Sequence, residues 1–122
     1  MNPVYLFVYG TLRRGCRNRF AKLLAAQALF LGGAKTNGRL YDLGRHPGAV
    51  PSQAASEWVR GEVFLLSRAP ALLAALDRYE GAKYERRTVP VYLASGKRIE
   101  SMTYFLRREP AAGRIRAGEW TR

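Results

Sequence analysis

Val8-Tyr9-Gly10-Thr11-Leu12-Arg13-Arg14-Gly15 is the stretch on which the reading of this chain turns. It follows Pro3 to Tyr9, in which Val4, Leu6 and Val8 alternate with Tyr5, Phe7 and Tyr9. Apolar residues on both faces of a strand predict a central position in a sheet. Gly10 and Gly15 then bracket a loop, and a loop at the exit of a buried strand is a place where backbone N–H groups are left pointing at an anion. The lysine and the glycine spacing of a phosphate loop are missing, and a lone glycine turn is a weak signal.

Beyond the loop, Asn18 offers an N-cap to a helix in which Phe20, Leu23, Leu24 and Phe30 recur near helical spacing, ending before Gly32-Gly33. Ala34 to Pro51, broken by Gly38, Gly44, Pro47, Gly48 and Pro51, reads as brief strands and turns. Val59 to Leu66 is a stronger strand, with Gly61 marking a bulge or a close approach of another backbone or a ligand. Ser67 is the expected cap of a second helix, with Pro70 in its first turn, a buried stripe of Leu72, Leu73, Leu76 and Tyr79, and Gly81 at its end. Tyr84 to Leu93 and Ile99 to Leu106 form a hairpin across Ala94-Ser95-Gly96-Lys97, with Pro90 predicting an edge position or a bulge. The tail from about residue 108 reads as irregular, with Trp120 pinning it to the body. Five to seven short strands and two helices predict an α+β fold built as a small mixed β-barrel with flanking helices, a single domain over residues 1–122.

Composition narrows the chemistry. A chain of 122 residues with 48% hydrophobic residues is of single-domain size. One cysteine, Cys16, excludes an internal disulfide. The apolar start lacks a basic leader region, and no apolar run approaches the ~20 residues that span a bilayer. A soluble cytoplasmic protein without membrane partners is expected. His46 is the only histidine, so a histidine-based metal site or a Ser-His-Asp triad has almost no material, and neither a metal nor a cofactor is expected. Cys16 and His46 as a catalytic pair lack any recognisable context; both read as loop residues.

The formal net charge of +12 needs its own account. All but four of the 21 basic residues are Arg, the lysines being Lys22, Lys35, Lys83 and Lys97, and the arginines are scattered along the chain. Nucleic-acid binding is one reading of such charge, but no RNP, zinc or helix-turn-helix signature accompanies it. A generally Arg-rich surface is the simpler reading, and a positive field also draws in small anionic substrates.

Chemistry is left to carboxylates, tyrosines and backbone donors. Among nine carboxylates, Glu80 stands apart because it follows the buried stripe at the negative end of a helix dipole, where its pKa is raised. Arg78, Arg86 and Arg87 are near in sequence and act in the opposite direction. Read from pattern alone, Glu80 is a surface residue at a helix end or a general base, and the sequence leaves both open.

Taken in order, the motifs resemble the gamma-glutamylcyclotransferase-like family, closest to its small gamma-glutamylamine cyclotransferase branch. The resemblance runs through Val8 to Gly15, Gly38-Arg39-Leu40-Tyr41-Asp42 with Pro47, Val59-Arg60-Gly61-Glu62-Val63, Leu76-Asp77-Arg78-Tyr79-Glu80-Gly81 with Tyr84 and Arg86, and Gly118-Glu119-Trp120. It implies a small barrel and release of 5-oxoproline from a gamma-glutamyl compound. It places the catalytic glutamate at Glu80, the substrate-gripping loop at Tyr9, Gly10, Thr11 and Leu12, and cavity tyrosines at Tyr84 and, less closely, Tyr104. Ala82-Lys83 stands where relatives often carry a proline, and the excess of Arg lies outside the family pattern. Two alternatives remain at this level: a non-catalytic binding or regulatory module of the same fold, and a basic nucleic-acid-binding barrel. The leaving amine and the oligomeric state are not given by the sequence.

Overall fold

The computed structural model describes residues 3–121; Met1 and Asn2, where the reading of the N-terminal segment begins, and Arg122 lie outside the described residues. The elements run β1 (Val4–Val8), α1 (Arg19–Gln27), β2 (Ala28–Asp42), β3 (Pro47–Pro51), β4 (Trp58–Leu66), α2 (Ala69–Glu80), β5 (Tyr84–Leu93), β6 (Arg98–Leu106) and β7 (Arg114–Ile115). The strands pair in the order β2-β4-β1-β6-β5, and β5 returns to β2 through Ala34↔Leu93 and Lys35↔Tyr92, which closes a five-stranded barrel. β1 is antiparallel to β4 and parallel to β6, so the barrel is mixed. β3 and β7 lie outside it, paired to the far half of β2.

The two-faced apolar pattern of β1 has a direct structural reason. Phe7 and Tyr9 join Val59, Val63, Val91, Ile99 and Phe105 in one buried cluster, to which each barrel strand contributes. Leu6 and Val8 belong to a second cluster, with Leu24 of α1 and Leu72, Leu73 and Leu76 of α2. A central strand whose two faces serve two cores has no solvent side on which to place polar residues. Where β1 crosses β4, a Cβ on Gly61 would overlap the Val8 carbonyl oxygen, so Gly61 serves the close approach of two backbones.

Three local expectations are corrected. The first helix ends at Gln27, and Phe30 lies on β2, where its ring meets Phe64 edge-on at 5.5 Å. Ala28 and Phe30 turn toward the core while Leu29 and Leu31 face outward, 61% and 40% exposed. Because all four are apolar, the two-residue alternation is invisible in the sequence, and strand pairing with β4 decides the conformation. Ala34 to Asp42 is likewise one continuous strand, carried past Gly38 because pairing with β4 up to Asn37 passes directly to pairing with β3 from Gly38. Finally, Ser67 does not cap α2. The N-cap is Arg68, which makes no side-chain capping bond, and the Ser67 hydroxyl donates to the Gln27 carbonyl at 2.6 Å.

Other expectations match. Asn18 caps α1 by accepting the Ala21 N–H at 2.8 Å. Pro70 sits in the first turn of α2, whose last turn closes with the Gly81 N–H on the Asp77 carbonyl at 3.1 Å. Pro90 lies on the part of β5 paired only with β6. Apart from β7 the tail is irregular, and Trp120 is buried at 3% exposure among the barrel residues. Among the described residues, no helix is long and apolar enough to cross a membrane.

Candidate active site

The strand-exit loop and the end of α2 meet at one cavity. Its volume is about 160 Å³, and its walls are Phe7 to Leu12, His46-Pro47, Tyr79-Glu80, Tyr84 and Tyr104. All seven side chains and loop residues singled out in the sequence, Tyr9, Gly10, Thr11, Leu12, Glu80, Tyr84 and Tyr104, therefore line the same space.

The loop is built so that its carbonyls are consumed. Gly10 O accepts the Arg13 N–H at 3.2 Å and Arg13 Nε at 3.0 Å, and Thr11 O accepts Asn18 Nδ2 at 2.6 Å. Asn18 thus holds the loop with its amide nitrogen while it caps α1 with its oxygen. Among the described residues no acceptor is found for the Thr11 and Leu12 amides, which leaves these donors available to a ligand. Behind the loop, a Cβ on Gly10 would come within 2.7 Å of the Pro47 ring, so only glycine admits the 46–47 segment to the wall.

Tyrosine hydroxyls fix the remaining walls. Tyr9, in the barrel core, donates to the Tyr104 carbonyl at 2.6 Å and accepts the Ala49 N–H at 3.1 Å. Tyr84 donates to the Pro47 carbonyl at 2.8 Å, so the contact of 3.1 Å from His46 Nδ1 to the same hydroxyl has the imidazole as donor. Tyr104 donates to Asp77 Oδ1 at 2.6 Å, and Thr11 Oγ1 pairs with the Tyr79 hydroxyl at 2.7 Å. Burial holds the Tyr9, Tyr84 and Tyr104 hydroxyls well above the ordinary phenol range, so all three remain neutral donors.

Glu80 is the carboxylate among the cavity walls, and it is partly buried. Burial raises its pKa to about 7. The arginines near it in sequence do not cancel the shift. Arg86 is ion-paired with Asp77 at 3.1 Å, and Arg87 lies 3.6 Å from Glu85. A carboxyl that titrates near neutrality, in a cavity with free backbone donors and neutral hydroxyls, is equipped to take and return a proton.

Five wall residues are not singled out as site residues by the sequence. His46 reads as a loop residue and Tyr79 as part of a buried stripe, while Phe7, Val8 and Pro47 carry no chemical signal of their own. Cys16 is not in the cavity wall; its thiol contacts the Gly10 carbonyl at 3.8 Å. Among the described residues no cluster of His, Cys, Asp and Glu has the grouping of a metal site.

This arrangement has relatives. A model of the family described as gamma-glutamyl cyclotransferase, AIG2-like, matches residues 6–122. The chain belongs to that family. It is 32% identical to YkqA of Bacillus subtilis over 117 residues, which is 94% of this chain but 40% of YkqA. It is 37% identical to the gamma-glutamylcyclotransferase family protein YtfP of Escherichia coli K12 over 90 residues, 69% of this chain and 70% of YtfP. The crystal structure of YkqA superposes with a TM-score of 0.76 at 28% identity, covering 98% of this chain and 40% of YkqA. A mouse AIG2-like protein gives 0.74 at 24% identity, covering 91% of this chain and 82% of the mouse chain, a likeness of fold. The chain spans less than half the length of YkqA.

Proposed function

We propose that this chain is a gamma-glutamyl cyclotransferase that releases 5-oxoproline from a gamma-glutamyl compound. The observation that carries the reading is Glu80, a carboxyl with a pKa of about 7 in a cavity whose opposite element is the loop with free amides. The Thr11 and Leu12 amides hold the substrate's alpha-carboxylate, which turns its alpha-amine toward its own gamma-carbonyl. The nucleophile then belongs to the substrate, and intramolecular attack supplies an effective molarity of ~10⁵ M or more when well oriented.

The bookkeeping of the reaction is simple. The neutral alpha-amine nitrogen bonds to the gamma-carbonyl carbon, and ionised Glu80 takes a proton from that nitrogen. The bond from this carbon to the departing nitrogen breaks as protonated Glu80 returns the proton to it, so no proton is gained or lost overall. Loop N–H groups steady the oxyanion between the two steps. Tyr84 and Tyr104, whose hydroxyl protons are committed to Pro47 and Asp77, shape the cavity around the ring that forms.

The test is 5-oxoproline release from gamma-glutamyl-lysine, gamma-glutamyl dipeptides and glutathione, with wild type beside Glu80→Gln. The expected result is release by wild type and a loss of ~10² to 10⁴-fold in the variant. Equal turnover by the variant refutes the role of Glu80. Absence of release from every donor by folded wild-type protein, with binding of 5-oxoproline or glutamate retained, identifies a binding module instead.

A further inference from the structure

Tyr84 and Tyr104 also line a second, wider groove of about 690 Å³, so the two spaces share a wall. The groove is bordered by Arg86, Arg87 and Arg107 against Asp77 and Glu85. Three guanidiniums facing two carboxylates leave one positive charge in excess.

The engagements of the three arginines differ. Arg86 grips Asp77 as a fork, Nε at 3.1 Å from Oδ1 and Nη2 at 3.3 Å from Oδ2, and its last nitrogen meets Met102 Sδ at 3.3 Å. Asp77 in turn accepts the Tyr104 hydroxyl, so Arg86 is part of the wall. Arg107 donates from Nε to the Ala82 carbonyl at 3.0 Å and from Nη1 to Glu85 at 2.9 Å. Among the described residues Arg87 has only Glu85 at 3.6 Å, beyond hydrogen-bond reach, and its side chain is 50% exposed. Glu85 is therefore shared between two cations, and the surplus charge resides on Arg87 and Arg107.

We propose that this groove receives the leaving group, and that it selects leaving groups bearing a carboxylate, recognised by Arg87 with Arg107. The inference rests on the cyclotransferase reading for the position of the glutamyl end. A substrate whose gamma-carbonyl lies against Glu80 continues past Tyr84 and Tyr104 into the only other space these two side chains line among the described cavities. An unsatisfied guanidinium matches a carboxylate by geometry as well as by charge. Gamma-glutamyl amino acids and peptides are then preferred over gamma-glutamyl compounds of neutral or cationic amines. Part of the arginine excess in the sequence acquires a purpose on this reading.

The experiment compares gamma-glutamyl-alanine with gamma-glutamyl-alaninamide, which differ only in the leaving group's carboxylate. Turnover by wild type, Arg87→Gln and Arg107→Lys is measured beside calorimetric binding of both compounds to Glu80→Gln protein and to Glu80→Gln carrying Arg87→Gln. An exposed charge pair gives a KM advantage of about fivefold for the acid at low salt, shrinking as sodium chloride is raised. Arg87→Gln brings the ratio toward one, whereas Arg107→Lys, which keeps the charge, retains most of it. Turnover with no preference, or a preference that survives Arg87→Gln, overturns the groove assignment and leaves the cyclotransferase reading standing. Failure of turnover, with tighter Arg87-dependent binding of the acid, supports the groove and overturns that reading. Failure of both turnover and binding overturns both.

Discussion

Replacing Glu80 by Gln is expected to separate stability from activity. Burial raises the Glu80 pKa from 4.5 to about 7, which means that ionising it costs more in the folded chain than in the unfolded one. The unfolded chain releases this proton first as pH rises, so the contribution of Glu80 to stability is fully present below pH 4.5 and is lost as pH climbs through 7. With these two values the unfavourable contribution is about 1 kcal/mol at pH 5 and about 3 kcal/mol at pH 8. Water entering the cavity lowers both, and the difference between them, about 2 kcal/mol, is the quantity to measure. Glutamine cannot ionise, so the variant gains stability relative to wild type as pH rises. Urea denaturation of both proteins at pH 5, 6.5 and 8 reads this directly, and 5-oxoproline release across the same range reads the other half. Wild-type kcat/KM falls about tenfold per pH unit below 7, where Glu80 becomes protonated and can no longer accept a proton. A stability difference that does not change between pH 5 and 8 refutes a buried Glu80 carboxylate, and an acid limb centred near 4.5 does the same.

Three further perturbations address the frame around the site. Asn18→Ala removes both the cap on Ala21 and the strut on the Thr11 carbonyl, so thermal denaturation should show a loss of about 1–2 kcal/mol and KM should rise more than kcat falls. Gly61→Ala pushes β4 from β1 at the Val8 carbonyl, and the variant is expected to lose ~3 kcal/mol or to appear only in the insoluble fraction on expression. Glu57, which accepts from Arg39 at 2.9 Å and Arg114 at 2.8 Å, has its pKa lowered from 4.5 to about 2, chiefly by the Ser52 hydroxyl and Arg39. Its hold on the tail is present above pH 4.5 and is lost as pH falls toward 2, so amide hydrogen exchange over residues 109–115 should quicken in Glu57→Gln at pH 7, and a rate equal to wild type would show that the ion pairs do not hold the tail.

What the sequence disclosed of the site follows the distance over which its information is local. The strand-exit loop, the capping Asn18 and the end of α2 at Gly81 are each written within a few consecutive residues. The pairs that complete the walls are not: Asp77 with Tyr104 are 27 residues apart, His46 with Tyr84 38, and Thr11 with Tyr79 68. Each is a polar contact made only when α2 or the segment before β3 packs against the barrel and its loops, and nothing in the composition around His46 or Asp77 marks them as partners of a tyrosine. The same limit explains the misread start of β2. Ala28-Leu29-Phe30-Leu31 satisfies a helix stripe and a strand with one oily outer face equally well, and only the presence of β4 beside it decides.

The arginines illustrate how the fold resolves a conflict that the sequence leaves open. Arg86 and Arg87 near a glutamate predict a depressed pKa if any of them reaches it, whereas burial and the helix end predict an elevated one. The outcome depends on which carboxylate each guanidinium meets. Asp77, one turn before Glu80 on α2, takes Arg86, and Glu85 at the start of β5 faces Arg87 and Arg107. Asp77 engages Arg86, Glu85 is shared by Arg107 and the more distant Arg87, and the shift at Glu80 comes from burial. Asp77 has a further consequence, because the carboxylate that occupies Arg86 also anchors the Tyr104 hydroxyl. One residue thereby holds a cation at the rim and orients a wall of the cavity. The elevated pKa that suits Glu80 to proton transfer near neutral pH therefore comes from its burial, while the neighbouring acids Asp77 and Glu85 are engaged by arginines at the rim.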